Sequence, residues 1–323
     1  MICLLGAVAI GIQVNAQNLV PNPSFEQFKK LPCEALNEYG LTVGSKAAQL
    51  AFDSMLYYWT QPTLIGTSEI YSTNIDIHCE VNPLKYGYGP KPQDGYNMAR
   101  VALLVNYKFT PKNTGGRTYI QTPLSQKLES KKYYLAGCYQ SMMFIADYAA
   151  NNLGLLFTNE AVRSDTNLIS YRPQINDDDV NSDTSIWKKF YDCFEAKGDE
   201  QYLTIGGFYD DGDTKAVPLT PYDPGSDGAY YFIDSVFVEK IDPVIPNVIT
   251  PNGDCCNEKF KIDNLHFGWW TLDVYDRWGA SVFHSGDYRN TWGGDNLNPG
   301  VYYYNLQHRC KNVKYKGPLV IMK

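Results

Sequence analysis

The sequence predicts an all-β protein that is assembled from β-sandwiches. Short runs such as residues 271–275 alternate apolar and polar side chains, a period that is typical of half-buried strands. Other runs, such as residues 301–306, are rich in the β-branched and aromatic side chains that favour strands. Gly, Pro, Asn and Asp cluster between these runs, where they favour turns. Within residues 18–240, only residues 45–56 show a sustained helical period.

Residues 245–323 carry the strand and turn signals at their most regular spacing. Strand-like runs alternate there with turn residues at 251–254, 278–279, 293–294 and 298–300. Strands at this spacing predict a small β-sandwich at the end of the chain.

The order of these pieces resembles the type B sorting domain of the type IX secretion system, also called the gliding-motility-associated C-terminal domain. That family combines a Thr-Pro-Asn-Gly-Asp start, an Arg-Trp-Gly turn, a Trp-Asp-Gly turn, a Pro-x-Gly-x-Tyr strand and a Lys-Gly strand. This chain departs from it at Cys255 and Cys256, where the family has Gly, and at Lys323, where the family more often has Arg. The residues that match are Pro251, Asn252, Gly253, Arg277, Trp278, Gly279, Trp292, Gly294, Gly300, Tyr302, Lys316 and Gly317.

The resemblance implies that residues 241–323 form a small Ig-like β-sandwich that serves as an export address. In this family the C-terminal domain is recognised by the outer-membrane type IX export machinery. The cargo is then secreted or kept on the outer cell surface. An Ig-like module without a targeting role is the alternative interpretation of the same residues.

The charge balance argues against nucleic acid as a partner. The 323 residues include 28 Lys and Arg against 35 Asp and Glu, which gives a formal net charge of −7. Residues 241–323 hold 9 and 8 of these, or +1, so the preceding part holds 19 and 27, or −8. Binding to phosphates needs a basic face, and the acidic part of the chain does not offer one.

Residues 1–16 are predicted to be a signal peptide. The run is apolar, ends in Val14, Asn15 and Ala16, and is too short to span a bilayer. It lacks the positive start of most signal peptides, which leaves the true start of the chain open. No later run has the roughly 18 apolar residues of a membrane helix, so the mature chain is predicted to have no transmembrane segment.

Residues 17–240 are predicted to form a second, larger β domain. Strand-like runs occur at 133–140, 153–157, 187–194, 199–208 and 229–238. Long loops rich in Pro, Asn and Asp are expected at 82–95, 172–185 and 210–228.

The two ends of this domain resemble the galactose-binding-like jelly rolls, a fold shared by carbohydrate-binding modules. The opening is Asn-Pro-Ser-Phe-Glu at 22–26, and the closing run is Tyr-Phe-Ile-Asp-Ser-Val at 231–236. The resemblance implies a jelly-roll β-sandwich over residues 17–240, followed by the small Ig-like β-sandwich. It also implies that the first and last strands of the jelly roll are neighbours.

In such jelly rolls a calcium ion is often held between the first and last strands. The resemblance implies Glu26 and Asp234 as its ligands. Carboxylates from two strands suit calcium, which binds several oxygen atoms. The alternative is that both acids are strand residues that face the solvent.

Seven cysteines follow the predicted signal peptide, and four of them lie in residues 17–240. An exported chain favours disulfides. We predict that Cys138 pairs with Cys193, because both lie in aromatic strand segments, and that Cys33 then pairs with Cys79. Four cysteines permit three pairings, so these two bonds are a choice among alternatives.

An aromatic platform for a sugar ring is one candidate binding site. The candidates for this platform are Trp59, Tyr71 and Trp187, together with Tyr57 and Tyr58. Aromatic side chains in β-sandwiches pack more often in the core. A structural role is therefore the competing interpretation of each residue.

No catalytic motif is found in the sequence, so the protein is predicted not to be an enzyme. The four histidines are isolated, and the sequence has no His-Glu-x-x-His, Gly-x-Ser-x-Gly or phosphate-binding loop. The first hypothesis is a non-catalytic surface module that binds a glycan or a surface protein. The alternatives are a polysaccharide hydrolase on a jelly-roll scaffold and a purely structural surface or adhesin component.

Overall fold

The computed structural model divides the chain into two compact units. They are Asn18–Glu239, called the N-terminal domain, and Lys240–Lys323, called the C-terminal domain. The predicted signal peptide lies outside the described residues. The described residues are 17–39, 46–64, 66, 68–76, 79, 81–87, 89–105, 116–166, 169–219, 228–254, 256–265, 267–310 and 313–323.

The N-terminal domain consists mainly of antiparallel strands, which confirms the all-β prediction. Strands are found at each of the five strand-like runs of this domain. The strands are β1 (Glu69–Ser72), β2 (Asn97–Val105), β3 (Ile120–Pro123), β4 (Tyr133–Met142), β5 (Tyr148–Ala150), β6 (Leu153–Thr158), β7 (Ile175–Asp177), β8 (Lys188–Glu195), β9 (Tyr202–Gly207), β10 (Ala216–Pro218) and β11 (Gly228–Lys240).

These strands build a β-sandwich of two main sheets. The first sheet has the order β1-β2-β11-β4-β8 and the second has the order β3-β9-β6-β7, while β5 pairs with β10. One buried cluster joins Val101 and Ile233 of the first sheet with Leu155 and Ile205 of the second. The core of the domain therefore lies between the two sheets, as in a jelly roll.

The opening segment lies beside the last strand of the domain but is not itself a strand. The amide of Leu19 donates to the Val238 carbonyl (2.8 Å), and the amide of Val236 donates to the Pro23 carbonyl (3.0 Å). Extended backbone is interrupted by Phe25, which has a φ of 61°. The predicted neighbourhood of the two ends is present, although the predicted first strand is not.

Three short helices are found among the described residues; two precede β1, and one lies between β1 and β2. They are α1 (Pro32–Tyr39), α2 (Lys46–Met55) and α3 (Pro83–Tyr86). The helical period at 45–56 predicted α2, whose Phe52 and Met55 are buried in the core. No helical period predicted α1, and α3 lies in the loop predicted at 82–95. No helix in the described ranges is both long enough and apolar enough to pass through a membrane.

Cys33 and Cys79 form a disulfide in the structure, which is the pair that the sequence analysis expects. Their Cα atoms are 6.1 Å apart. The predicted pair of Cys138 and Cys193 is wrong, because Cys138 is a buried free thiol and Cys193 is bonded to another cysteine. Cys138 lies opposite Phe190, whereas Cys193 lies opposite Leu135. A difference of three residues along β4 places the two cysteines on opposite faces of the sheet.

Loss of the Cys33–Cys79 bond is expected to lower the free energy of unfolding of the N-terminal domain by about 2–4 kcal/mol. The bond joins residues 46 positions apart and so restricts the unfolded chain. Urea denaturation of the Cys33→Ser/Cys79→Ser double variant measures the loss. Cys256→Ser is the control, because Cys256 is an exposed free cysteine. An unchanged urea midpoint in the double variant would contradict the prediction.

The C-terminal domain contains one mainly antiparallel sheet among its described residues. Its strands have the order β12-β16-β15-β13-β14. Leu272, Val274 and Leu306 are buried on one face of this sheet. Phe260 covers that face, with its ring centroid 5.5 Å from that of Tyr304. The strands are β12 (Val248–Ile249), β13 (Trp270–Tyr275), β14 (Ser281–Ser285), β15 (Gly300–His308) and β16 (Lys314–Ile321).

Candidate functional site

Trp59 lies in the core and does not offer a face to a ligand. Its side chain is 0% exposed, and its ring centroid is 4.9 Å from that of Phe25. Its indole Nε1 donates a hydrogen bond to the Asn22 carbonyl (2.9 Å). A buried indole with its one donor satisfied is a structural residue. The prediction that Trp59 binds a ligand is therefore wrong.

Tyr71 and Trp187 pack in a second cluster on the other face of the first sheet. Tyr71 is buried, with its hydroxyl donating to Glu69 (2.9 Å) and its ring edge-on to Phe232. Trp187 is half-buried against the same cluster and donates from Nε1 to the Lys91 carbonyl (2.8 Å). The structure therefore contradicts Tyr71 as a stacking residue and gives Trp187 a packing role.

Three exposed tyrosines of the N-terminal domain lie on segments that are hydrogen-bonded to residues 26 and 27, and we call the region around these two residues the tyrosine end of the domain. Tyr57 and Tyr58 are each 48% exposed and Tyr96 is 56% exposed. The ring centroids of Tyr57 and Tyr58 are 6.3 Å apart. We call Tyr57, Tyr58 and Tyr96 the tyrosine cluster. Tyr57 and Tyr58 are candidates for the predicted aromatic platform, whereas Tyr96 lies outside every predicted site.

Residues 26 and 27 connect the pair Tyr57 and Tyr58 with Tyr96. The Gln27 carbonyl accepts the amide N–H of Tyr57 (3.0 Å). The Glu26 carboxylate accepts the amide N–H groups of Tyr96 (2.8 Å) and Asn97 (2.9 Å) through Oε1. Asn22 Nδ2 donates to the carbonyls of both Gln27 and Tyr57. The backbones of Tyr57 and Tyr96 are thus both hydrogen-bonded to the segment of residues 26 and 27.

The backbone at this end of the domain adopts conformations that are unusual for residues with side chains. Tyr58 has a φ of 72°, and Asn22 has a φ of 53°. A bulky residue in the left-handed region costs free energy and persists only where the surroundings hold it. Such positions are concentrated at functional sites. Phe25 also has a positive φ but is buried, so Tyr58, which is 48% exposed, is the residue of this end that most strongly indicates a function.

Asp234 is 0% exposed and is hydrogen-bonded to the loop that precedes Tyr96. Its Oδ2 accepts the amide N–H groups of Gln93 (2.7 Å) and Asp94 (3.0 Å), and its Oδ1 accepts the amide of Ser235 (2.6 Å). Burial raises the pKa of Asp234 to about 7, although these three N–H donors act to lower it. The charge of Asp94 adds to the upward shift. Asp234 ties the loop at 93–94 to β11.

The geometry of Glu26 and Asp234 fits calcium poorly. Calcium takes six to eight oxygen ligands, whereas both oxygens of Asp234 and Oε1 of Glu26 already accept backbone N–H groups. A cation beside these oxygens would lie next to the positive ends of the amide dipoles. A calcium ion bound by Glu26 and Asp234 remains a prediction. Holding backbone N–H groups in place is an alternative role for these two carboxylates.

Several of the matched C-terminal residues have a role in folding. Trp292 stacks on Phe283 with ring centroids 5.2 Å apart, and Tyr302 is buried. Gly294 has a φ of 68°, and a Cβ there would lie 2.7 Å from a side-chain atom of Ile321. Others lie in turns and strands: Pro251, Asn252 and Gly253 follow β12, Gly300 begins β15, and Lys316 and Gly317 lie in β16.

The turn between β13 and β14 presents a tryptophan to the solvent. Asp276 Oδ1 accepts the amide N–H groups of Trp278 and Ala280, both at 2.9 Å. Gly279 has a φ of 84°, which favours glycine at that position of the turn. The Arg277 guanidinium lies 5.1 Å from the centroid of the Trp278 ring. Trp278 is 81% exposed.

Comparison with known families identifies the C-terminal domain. Residues 244–321 match the CHU_C type IX secretion signal domain. The match confirms the resemblance that the turn and strand motifs predicted. It indicates a protein that is secreted or held at the outer cell surface, and it covers only the C-terminal domain. No curated protein matched the chain.

Solved structures similar to the chain include carbohydrate-binding modules. TmCBM61 in complex with β-1,4-galactotriose is 12% identical, with 70% of this chain and 99% of that chain covered and a TM-score of 0.29. A CBM4 structure is 10% identical, with 68% and 99% covered and a TM-score of 0.29. The M60 catalytic domain with CBM51 domains of Clostridium perfringens ZmpB is 11% identical, with 72% and 20% covered and a TM-score of 0.22. Scores this low carry no argument about function.

Proposed function

We propose that this is a type IX cargo protein whose N-terminal domain binds a neutral glycan through the tyrosine cluster. Export is supported by the match of residues 244–321 to the type IX secretion signal domain. Binding is supported by one observation above all. Three tyrosines, each about half exposed, lie at the tyrosine end of the domain. Hydrogen bonds hold the backbone there, and Tyr58 has a positive φ angle.

The chemistry of this end suits an uncharged sugar. Tyrosine rings offer flat apolar faces for the C–H groups of a sugar ring, and their hydroxyls donate and accept hydrogen bonds. Glu26 is exposed, and a carboxylate can accept hydrogen bonds from sugar hydroxyls. This end carries the acidic side chains of Glu26 and Asp94 and also the cation of Lys29. The Lys29 Nζ lies 5.9 Å from the Tyr57 ring centroid, so the charges of this end do not select an anionic sugar. A neutral glycan is thus the proposed ligand class.

The same end of the domain favours binding over hydrolysis. Glycoside hydrolysis uses two carboxyl groups that flank the substrate, one of them an acid with a raised pKa. Asp234 has a raised pKa, but it is fully buried and bonded to backbone amides. In this arrangement Asp234 cannot reach a substrate. A non-catalytic binding module is therefore the proposal, with a polysaccharide hydrolase as its alternative.

The Tyr57→Ala/Tyr58→Ala double variant is expected to bind the glycan on the order of tenfold to a hundredfold more weakly than the unaltered protein. A neutral-glycan array with the purified chain selects the glycan, and calorimetry then measures the dissociation constant. Tyr171→Ala is the matched control, because Tyr171 is 57% exposed and lines a separate surface depression with Val162 and Ile169.

Equal affinity of the double variant and the unaltered protein would overturn the proposed site. Loss of binding in Tyr171→Ala alone would place the site on a different surface. Release of reducing ends from the bound polysaccharide would favour the hydrolase alternative. Absence of binding to every neutral glycan on the array would overturn the proposed ligand class.

A further inference from the structure

Trp278 is a motif residue that the fold of the C-terminal domain does not explain. Of the same motif set, Trp292 stacks on Phe283 and Tyr302 is buried. Trp278 is 81% exposed, in a turn whose backbone makes two hydrogen bonds to Asp276 Oδ1. Exposing an indole to water forgoes the free energy that burial would supply. An exposed tryptophan is the kind of residue that dominates protein–protein interfaces.

The strand that leads into the Trp278 turn contributes to an aromatic surface. An open depression of about 410 Å³ is lined by tyrosines together with residues of β16. Tyr275 lines this depression and comes directly before the turn, and it pairs across the strands with Tyr303, which is 49% exposed. Interfaces are enriched in Tyr, Trp and Arg. We call Trp278, Arg277, Tyr275, Tyr303 and Lys316 the turn surface.

The exposed charge of the turn surface is positive. Arg277 and Lys316 are both exposed. Asp276 is half-buried and its Oδ1 accepts two amide N–H groups. Asp273, farther along β13, bonds to His284 Nδ1 at 2.7 Å. A partner with acidic side chains around an apolar pocket would complement this surface.

We propose that the turn surface docks onto a protein component of the type IX export machinery, with the Trp278 indole entering an apolar pocket that has an acidic rim. This inference rests on the proposed export function, and it names the residues that the export machinery would recognise. The match of residues 244–321 to the secretion signal domain supports this choice of partner.

Trp278→Ala is expected to lower the exported fraction of the full chain on the order of tenfold or more, because truncation of a central tryptophan typically costs that much affinity. Charge reversal with Arg277→Glu/Lys316→Glu is expected to lower it in the same direction. Cell fractionation followed by immunoblotting measures the exported fraction. Phe267→Ala and Lys261→Glu are the matched controls, because both residues are exposed and lie outside the turn surface.

The melting temperature of each purified variant shows whether the domain still folds. Unchanged melting with lost export supports the docking surface. Normal export of both Trp278→Ala and the charge-reversal variant would overturn it, while a chain without residues 241–323 that stays in the periplasm would leave the export function standing. Export of that truncated chain would instead overturn the export function itself. Lost export in the two controls as well would overturn the assignment to this particular surface.

Discussion

A chain truncated after Lys240 is expected to remain in the periplasm instead of reaching the cell surface or the medium. The signal peptide predicted at residues 1–16 would still direct passage across the inner membrane. Residues 244–321, which match the type IX secretion signal domain, would be missing. Because the export machinery would then have nothing to recognise, the exported fraction should fall below detection. Fractionation of cells that produce tagged full-length and truncated chains measures it.

A gain-of-function control separates lost recognition from misfolding. Residues 241–323, fused behind a signal peptide and an unrelated periplasmic protein, should carry that protein out of the cell. The truncated chain should resist protease in the periplasm, since Asn18–Glu239 forms a compact unit with its own core. Export of the truncated chain, or failure of the fusion to leave the cell, would contradict the assignment of the export signal to this domain.

The C-terminal domain could be predicted in most detail because its signals are local. The alternation at 271–275 becomes β13, which spans Trp270–Tyr275, and the aromatic run at 301–306 becomes part of β15. Turn residues need only their own backbone conformation, as Gly279 shows with its φ of 84°. Such features are fixed within a few residues, so the sequence displays them directly.

The tyrosine cluster could be predicted only in part, because burial depends on distant residues. Tyr57, Tyr58 and Trp59 are consecutive aromatics, and nothing in their sequence shows which of them turns inward. The positive φ of Tyr58 changes the direction of the chain, and the Asn22 carbonyl accepts the Trp59 indole N–H from 37 residues away. Tyr96 joins the site through Glu26, which lies 70 residues away in the sequence.

The disulfide prediction failed at Cys138 for a similar reason. Cys138 and Cys193 lie in paired strands, as the aromatic segments around them indicated. The register of the pairing decides which face each side chain occupies, and it is set by the whole sheet. Cys138 faces the core, where burial raises the pKa of its thiol far above the usual range. A buried neutral thiol of this kind is chemically inert.

Asp234→Asn is expected to remove a pH dependence of stability that the unaltered protein shows. The pKa of Asp234 is raised from 3.8 to about 7, chiefly by burial. The native state therefore binds this proton more tightly than the unfolded chain does. The protonated Asp234 carboxyl therefore stabilises the native state. This stabilisation is fully present below the pKa that Asp234 has in the unfolded chain, and it is lost as the pH rises through about 7. A shift of this size corresponds to about 4 kcal/mol in the free energy of unfolding.

The difference between the unaltered protein and the Asn variant isolates this one group, because other titrating groups contribute equally to both. Urea unfolding of the full chain between pH 4 and pH 8 should show the unaltered protein losing stability relative to Asp234→Asn as the pH rises. Asp199→Asn, which changes an exposed carboxylate, should track the unaltered protein throughout. A constant difference between the unaltered protein and Asp234→Asn across this range would contradict the raised pKa.

If Asp234 bound calcium, Asp234→Asn would have a different effect at high pH. A chelator experiment therefore decides whether Asp234 binds calcium or only accepts the amide hydrogen bonds. A cation binds the ionised carboxylate, and a calcium-loaded site would add stability at pH 8, about 2.7 kcal/mol at a hundred times the dissociation constant. A chelator would then lower the melting temperature of the unaltered protein at pH 8 and leave Asp234→Asn unchanged. If the amide hydrogen bonds to Asp234 are its full role, the chelator has no effect on either protein. The geometry favours this second result, because the bonds from Gln93, Asp94 and Ser235 already occupy both oxygens.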